Sequence, residues 1–176
     1  MQIGIVGLGR MGGNIARRLM KAGHTCVVFD VNPEPGKALA AEGATAVLSL
    51  EEMVKALGKP AAIWSMLPAG DITEATVQAL GELLQADDVI IDGGNAFYKD
   101  DIRRAKSMAE KGIHYIDCGT SGGIWGIGRG FCMMIGGHKA AFDRLEPIFV
   151  SLAPGVGAIE RTTGREDAYS RAEMGY

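Results

Sequence analysis

Three glycines spaced as Gly-x-Gly-x-x-Gly, at Gly7, Gly9 and Gly12, and an aspartate at position 30 are the residues whose types and spacing most directly imply chemistry. Glycines free the backbone to approach an anion. The amides at a helix start carry a dipole end worth roughly +0.5 charge, so phosphate can be held there without a lysine. In the dinucleotide fingerprint the first glycine permits the turn, the second leaves room for a pyrophosphate, and the third lets helix and strand pack closely. Asp30 lies 18 residues past Gly12, where that fingerprint expects an acid at about 20. A carboxylate there accepts hydrogen bonds from both ribose hydroxyls of adenosine and repels the extra phosphate of NADP. Val31, Asn32 and Pro33 supply no arginine for that phosphate, so NAD is the expected cofactor. An aspartate that merely ends a strand is the plainer alternative.

Two further stretches could meet a ligand. Asn95 follows Asp92, Gly93 and Gly94; its amide suits nicotinamide or substrate, and it suits an ordinary turn and helix cap equally well. From Cys118 to Gly130, six of thirteen residues are glycine. There Ser121 with the amides of Gly122 and Gly123 would form a small concavity for a carboxylate. A flexible connection is the alternative, but Ile124, Trp125 and Ile127 favour an ordered loop. His24, His114 and His138 fall on different elements, and none reads as a catalytic base or metal ligand. Cys26, Cys118 and Cys132 are odd in number, lack metal spacing and include no obvious nucleophile, as in a reduced cytoplasmic protein.

The elements that must position these residues alternate. Ile3–Val6 reads as a buried strand, followed by helical periodicity at Met11, Ile15 and Leu19. Thr25–Phe29 is a second strand ending in Asp30. Asn32 caps a helix with Pro33 at its first position, and Gly43 closes it. A short strand at Thr45–Val47 precedes a helix through Leu57 that opens with a capping box of Ser49 and Glu52. Ala61–Leu67 is an apolar strand whose end, Met66–Gly70, turns at the carboxyl edge of the sheet. Asp71 caps a helix carrying Ile72, Ala75, Ala79, Leu80 and Leu83, and Val89–Ile91 follows. The next helix places Ile102, Ala105 and Met108 on one face and stops at Gly112. Ile113–Asp117 and Phe131–Ile135 are strands. Phe142, Leu145, Ile148 and Phe149 suggest a covering helix interrupted at Pro147, and Gly155–Ile159 an edge strand. The alternation predicts an α/β fold, a doubly wound, mostly parallel Rossmann-type sheet with helices on both faces. One dinucleotide-binding domain spans residues 1–160, and the polar residues 161–176 read as a tail or the start of a further domain.

With 18 basic and 21 acidic residues among 176, the chain carries no electrostatic footprint for nucleic acid. There is no basic amphipathic stretch and no run near 18 apolar residues, so no membrane association is expected. A soluble cytoplasmic protein acting on small molecules is the resulting expectation.

GLGRMG at Gly7–Gly12, DGGN at Asp92–Asn95 and TSGG at Thr120–Gly123 together resemble decarboxylating 6-phosphogluconate dehydrogenase, over nearly everything up to about residue 160. TSGG is shared by the wider β-hydroxyacid dehydrogenase family, whereas DGGN marks the phosphogluconate branch. Asp30 and the SGGIWG segment resemble the NAD-using members; in the NADP enzymes an asparagine and an arginine occupy the region of Asp30 and Val31. The resemblance assigns Gly7, Leu8, Gly9, Arg10, Met11 and Gly12, with Asp30, Val31 and Asn32, to cofactor binding. Leu67, Pro68 and Ala69 lie on the adenosine side, and Asn95 touches both ligands. Ser121, Gly122 and Gly123 hold the carboxylate end of 6-phosphogluconate. The implied reaction, a step of the pentose phosphate pathway, removes hydride from the carbon bearing the 3-hydroxyl. The β-keto acid then loses carbon dioxide, and the enediol becomes ribulose 5-phosphate. The family's proton-transfer lysine and glutamate come from a following helical domain, which also forms the interface of a homodimer or higher assembly. No catalytic residue is therefore expected in this chain, which alone should bind dinucleotide yet turn over 6-phosphogluconate poorly or not at all. A stand-alone, non-catalytic NAD-binding module and a dehydrogenase of another β-hydroxyacid are the competing readings.

Overall fold

The computed structural model describes residues 1–157, 164 and 169–176. Strand β1 (Gln2–Val6) enters helix α1 (Arg10–Lys21), and strands and helices then alternate through β2 (Thr25–Phe29), α2 (Pro33–Ala41), β3 (Thr45–Ala46) and α3 (Leu50–Ala56). The pattern continues with β4 (Ala62–Ser65), α4 (Asp71–Leu83), β5 (Val89–Asp92), α5 (Tyr98–Ala109) and β6 (His114–Ser121). A 3₁₀ turn (Gly123–Trp125) and a short helix α6 (Gly126–Arg129) lead to β7 (Cys132–Gly137) and α7 (Lys139–Leu152). The sheet order is β3-β2-β1-β4-β5-β6-β7. All neighbours are parallel except β6 and β7, which is the doubly wound, mostly parallel sheet expected.

Its strands are apolar on both faces because each face is covered. Ile3 and Ile5 of β1 join Ile15 and Leu19 of α1 and Leu145, Ile148 and Phe149 of α7 in one core. Val6, Ile63 and Ile90 meet Met53 of α3, Val77 and Leu80 of α4 and Met108 of α5 in the other. Each of these side chains, at 0–3% exposure, contributes roughly 1.5–3 kcal/mol by leaving water. Among the described residues no helix is long and apolar enough to cross a membrane.

Several local expectations are met and others corrected. Asn32 caps α2, accepting from Glu34 N at 3.1 Å with Pro33 in the first turn. Ser49 caps α3 through Glu52 N at 3.1 Å, but the Glu52 carboxylate returns to Leu48 N at 2.8 Å, one residue short of a true box. Asp71 does not cap α4. Gly70 holds that position at φ +98°, and Asp71 becomes the first helical residue, its charge against the helix dipole. The buried face of α4 is Thr73, Val77, Leu80 and Gly81, while Ala75 and Ala79 face solvent. In α5 the buried face is Asp101, Arg104 and Met108, and Ile102 is 64% exposed. Pro147 does not interrupt α7, which runs through it. The proline sits on the exposed side, where water can serve the carbonyl left without a partner.

Strand β6 continues four residues past Asp117 because β7 pairs with it antiparallel from Ile116–Gly137 to Ser121–Cys132. Cys118–Ser121 is therefore strand, and residues 122–131 connect, so the last strand starts at Cys132 and not at Phe131. The expected edge strand at Gly155–Ile159 falls partly outside the described residues; Gly155, Val156 and Gly157 form no strand. Residues 169–176 are not a free tail. A capping box of Ser170 and Glu173 starts α8 (Arg171–Met174), and Gly175 O accepts from Met133 N of β7 at 2.8 Å. The Tyr176 ring stacks on Phe142 at 6.5 Å.

Candidate functional site

The chain leaves β1 toward β2 on one side and returns beside it as β4 on the other. At such a switch point the loops diverge and open a crevice at the carboxyl edge. A cleft of about 840 Å³ lies there, lined by Gly7, Gly9, Arg10, Met11 and Gly12 from the first turn, Asp30 and Val31 after β2, Leu67 and Pro68 after β4, Asn95 after β5 and Ser121 at the end of β6. Leu8, Asn32, Ala69, Gly122 and Gly123, also expected at the site, do not line it. Among the lining residues that the sequence reading did not assign to the site are Phe29, Ile72, Thr76, Thr120 and Met134. Ile72 reads in the sequence as one of the apolar residues of its helix, and only the structure shows it 56% exposed on α4.

The three glycines have separate geometric reasons. Gly7 adopts φ +86°, and a Cβ there would lie 2.5 Å from the Met66 carbonyl oxygen. At Gly12 a Cβ would lie 1.9 Å from the Gly7 carbonyl oxygen, so only glycine lets α1 approach β1. At Gly9 a Cβ would meet nothing within 4 Å, and the space is the cleft itself. Gly9 also precedes α1 without any side-chain cap, which leaves first-turn amides available to an anion. Asp30 accepts from Leu8 N at 2.6 Å through Oδ2 and from Asn32 N at 2.9 Å through Oδ1. Each carboxylate oxygen has a second lone pair, so the carboxylate retains acceptor capacity for ribose hydroxyls. Leu8 and Asn32 thus contribute backbone that orients Asp30. A dinucleotide fits this constellation: an uncapped helix start, open space at Gly9 and an acid at the end of β2.

Asn95 is not a helix cap, because α5 begins three residues later with Phe97 at its cap position. It is exposed in the cleft on a closely packed turn. A Cβ at Gly93 would lie 2.2 Å from Trp64 Nε1, and one at Gly94 would lie 2.7 Å from the Leu67 carbonyl oxygen. The Asp92 side chain, 1% exposed, folds back to accept Gly94 N at 2.9 Å.

At the far wall only Ser121 of the expected concavity faces the cleft. Gly122 packs against Phe131 and Gly130, and Gly123, at φ +51°, opens the 3₁₀ turn instead. Thr120 Oγ1 donates to Cys118 O at 2.9 Å. Arg18 of α1 fastens this region, donating to Ser151 O at 2.9 Å, Ala153 O at 2.8 Å and Ile127 O at 3.3 Å. Burial pushes the Cys118 thiol up to about 12, so it is no nucleophile. His114 and His138, distant in sequence, stack at 5.1 Å on the surface. Among the described residues no group of three or more His, Cys, Asp or Glu is placed to hold a metal.

Residues 2–162 match the family model for the NAD binding domain of 6-phosphogluconate dehydrogenase. The chain is 43% identical over 155 residues to an NAD(+)-dependent, decarboxylating 6-phosphogluconate dehydrogenase of Haloferax volcanii, covering 88% of this chain and 51% of that protein. Among solved structures it is similar to 6-phosphogluconate dehydrogenase of Plasmodium falciparum, described with its cofactor NADP+, at TM-score 0.84 and 28% identity over 89% of this chain and 35% of that one. It is also similar to 3-hydroxyisobutyrate dehydrogenase of Mycobacterium tuberculosis, at TM-score 0.80 and 25% identity, covering 87% of this chain and 52% of that one. The chain thus spans about half the length of the Haloferax relative, and less of others.

Proposed function

Because the chain belongs to the 6-phosphogluconate dehydrogenase family, matching its NAD binding domain, we propose that it is the nucleotide-binding part of an NAD-dependent, decarboxylating 6-phosphogluconate dehydrogenase acting in the cytoplasm. The domain boundary is proposed near residue 160. The observation that carries the reading is the meeting of Gly7, Gly9, Gly12, Asp30, Asn95 and Ser121 along one cleft. Asp30 supports NAD over NADP, since its carboxylate would stand against a 2′-phosphate and Val31, 91% exposed, offers that phosphate nothing.

In this proposal the uncapped start of α1 and the space beside Gly9 receive the pyrophosphate, and Asp30 receives the ribose hydroxyls. Bound NAD supplies the hydride acceptor. The Asn95 amide and the Ser121 hydroxyl orient the substrate, Ser121 by donating to its carboxylate. Among the described residues lining the cleft there is no lysine, histidine or glutamate. Lys99 lies over the Phe97 ring at 5.9 Å, and Lys139 pairs with Asp143 at 2.5 Å. The base for the 3-hydroxyl is therefore assigned to the rest of a longer protein, as is the homodimer interface. The test is a fluorescence titration of the purified chain with NADH and NADPH. NADH is expected to bind at least about tenfold more tightly, a difference of about 1.4 kcal/mol; equal or tighter NADPH binding rejects the NAD assignment. Adding 6-phosphogluconate should tighten NADH binding. An unchanged affinity selects the non-catalytic module instead. The likeness to 3-hydroxyisobutyrate dehydrogenase supports a second reading, another β-hydroxyacid as substrate, which activity of the whole protein on hydroxyisobutyrate in place of phosphogluconate would select.

A further inference from the structure

Beneath the turn that carries Asn95 lies a buried polar cluster. Tyr115 of β6 has a single hydroxyl hydrogen, yet its oxygen is 3.0 Å from Asp92 Oδ2 and 2.9 Å from Asp101 Oδ1. It can donate to only one of them. The two acids are 1% and 6% exposed. The nearby guanidinium of Arg104 reaches the same two oxygens only at 3.5 and 3.4 Å, while its Nε donates to Glu74 Oε2 at 2.9 Å. With both acids ionised, one carboxylate would face the lone pairs of the Tyr115 oxygen, buried and poorly compensated. One proton removes the conflict: an acid O–H donates to the tyrosine oxygen, and the tyrosine O–H donates to the remaining carboxylate. Asp92 is the better candidate for the carboxylate, because its other oxygen already accepts Gly94 N.

We propose that Asp101 holds this proton and, through Tyr115 and Asp92, fixes the Asp92–Asn95 turn, which makes Asp101 a positioning residue for Asn95. The role rests on the reading of Asn95 as a ligand contact. The groups that face the cluster come from three elements besides α5. Asp92 lies on β5, Tyr115 and Asp117 on β6, and Glu74 on α4, where it binds Arg103 and Arg104. Burial drives the Asp101 carboxyl above its ordinary range, and Asp92 and Asp117 push the same way against the Tyr115 hydrogen bond and Arg104. Burial and Asp92 also raise Asp117. Loss of the proton on raising the pH would leave two carboxylates competing for one hydroxyl, and Asp92 would loosen its hold on Gly94.

The experiment is a pH titration of the 176-residue chain by NMR with carbon-labelled aspartate, Asp101 being assigned by comparison with Asp101→Asn. The Asp101 carboxyl carbon should titrate with a midpoint above the ordinary aspartate value of about 3.9. The Gly94 amide and the Asn95 side-chain amide should shift at that same midpoint. In Asp101→Asn, whose amide donates where the acid does, both should stay at their low-pH positions with no transition. An ordinary midpoint for Asp101, or Gly94 and Asn95 signals that ignore it, overturns the proposal on the wild-type chain alone. Adding NADH tests the underlying reading separately: no response at Asn95 removes its assignment as a ligand contact, whatever the titration gives.

Discussion

Replacing Asp30 with alanine removes, in one change, a charge at the cleft wall and the acceptor of Leu8 N and Asn32 N. Asp30→Ala should therefore weaken NADH binding and narrow the preference over NADPH by about 1–3 kcal/mol, the range for a hydrogen-bonded charged partner. Parallel titrations of both cofactors check this, and unchanged affinities remove Asp30 from the site. This residue was legible in the sequence because a strand, a glycine turn and an acid at fixed spacing are local features. Asp101 and Arg104 were not legible. A helix carrying Asp100, Asp101, Arg103 and Arg104 in succession reads as solvated, and Ile102 reads as its buried side. The structure reverses this, because Tyr115 and Asp92 on neighbouring strands offer partners that no helical period can reveal.

At the scale of elements, Arg18 joins three of them, from α1 to the carbonyl end of α7 and to α6. Arg18→Ala leaves these carbonyls without their donor and should lower stability by about 1–3 kcal/mol. Urea unfolding measures the loss, and faster amide exchange confined to residues 123–129 would locate it. The contact between α4 and α5 has its own pH signature. Hydrogen bonds from Arg103, and then from Arg104 and Gln78, hold the Glu74 carboxyl at about 2, against partial burial. Its folded value lies below its unfolded one, so its stabilisation is present above about pH 4.5 and is lost as the pH falls toward 2. Glu74→Gln should unfold with a flatter pH dependence across that window than the wild type. Asp101 acts in the opposite sense in both proteins, so the difference between the two curves isolates Glu74. Element order and handedness were legible from the alternation of apolar runs. The extent of β6 was not, because residues 118–121 become strand only through antiparallel partners in β7.

For the molecule as a whole, the cleft combines the proposed cofactor and substrate contacts, and among the described residues lining it there is no lysine, histidine or glutamate to act as the base for the substrate hydroxyl. Incubated with NAD and 6-phosphogluconate, the purified chain should produce no steady NADH at 340 nm while still binding NADH; sustained production would require a base within these 176 residues. Over evolutionary time, the proposed double duty of Asp30, as ribose acceptor and as partner of Leu8 N, would constrain how such a protein could change its coenzyme. A substitution to a side chain with no acceptor also leaves Leu8 N without its partner, so selection would meet the loss of a hydrogen bond in the turn after β1 before any gain in NADPH use. Asparagine avoids that penalty, because its carbonyl oxygen still accepts Leu8 N while the negative charge is gone. The accessible path from one coenzyme to the other therefore starts at asparagine, and an arginine at position 31 becomes useful only after it.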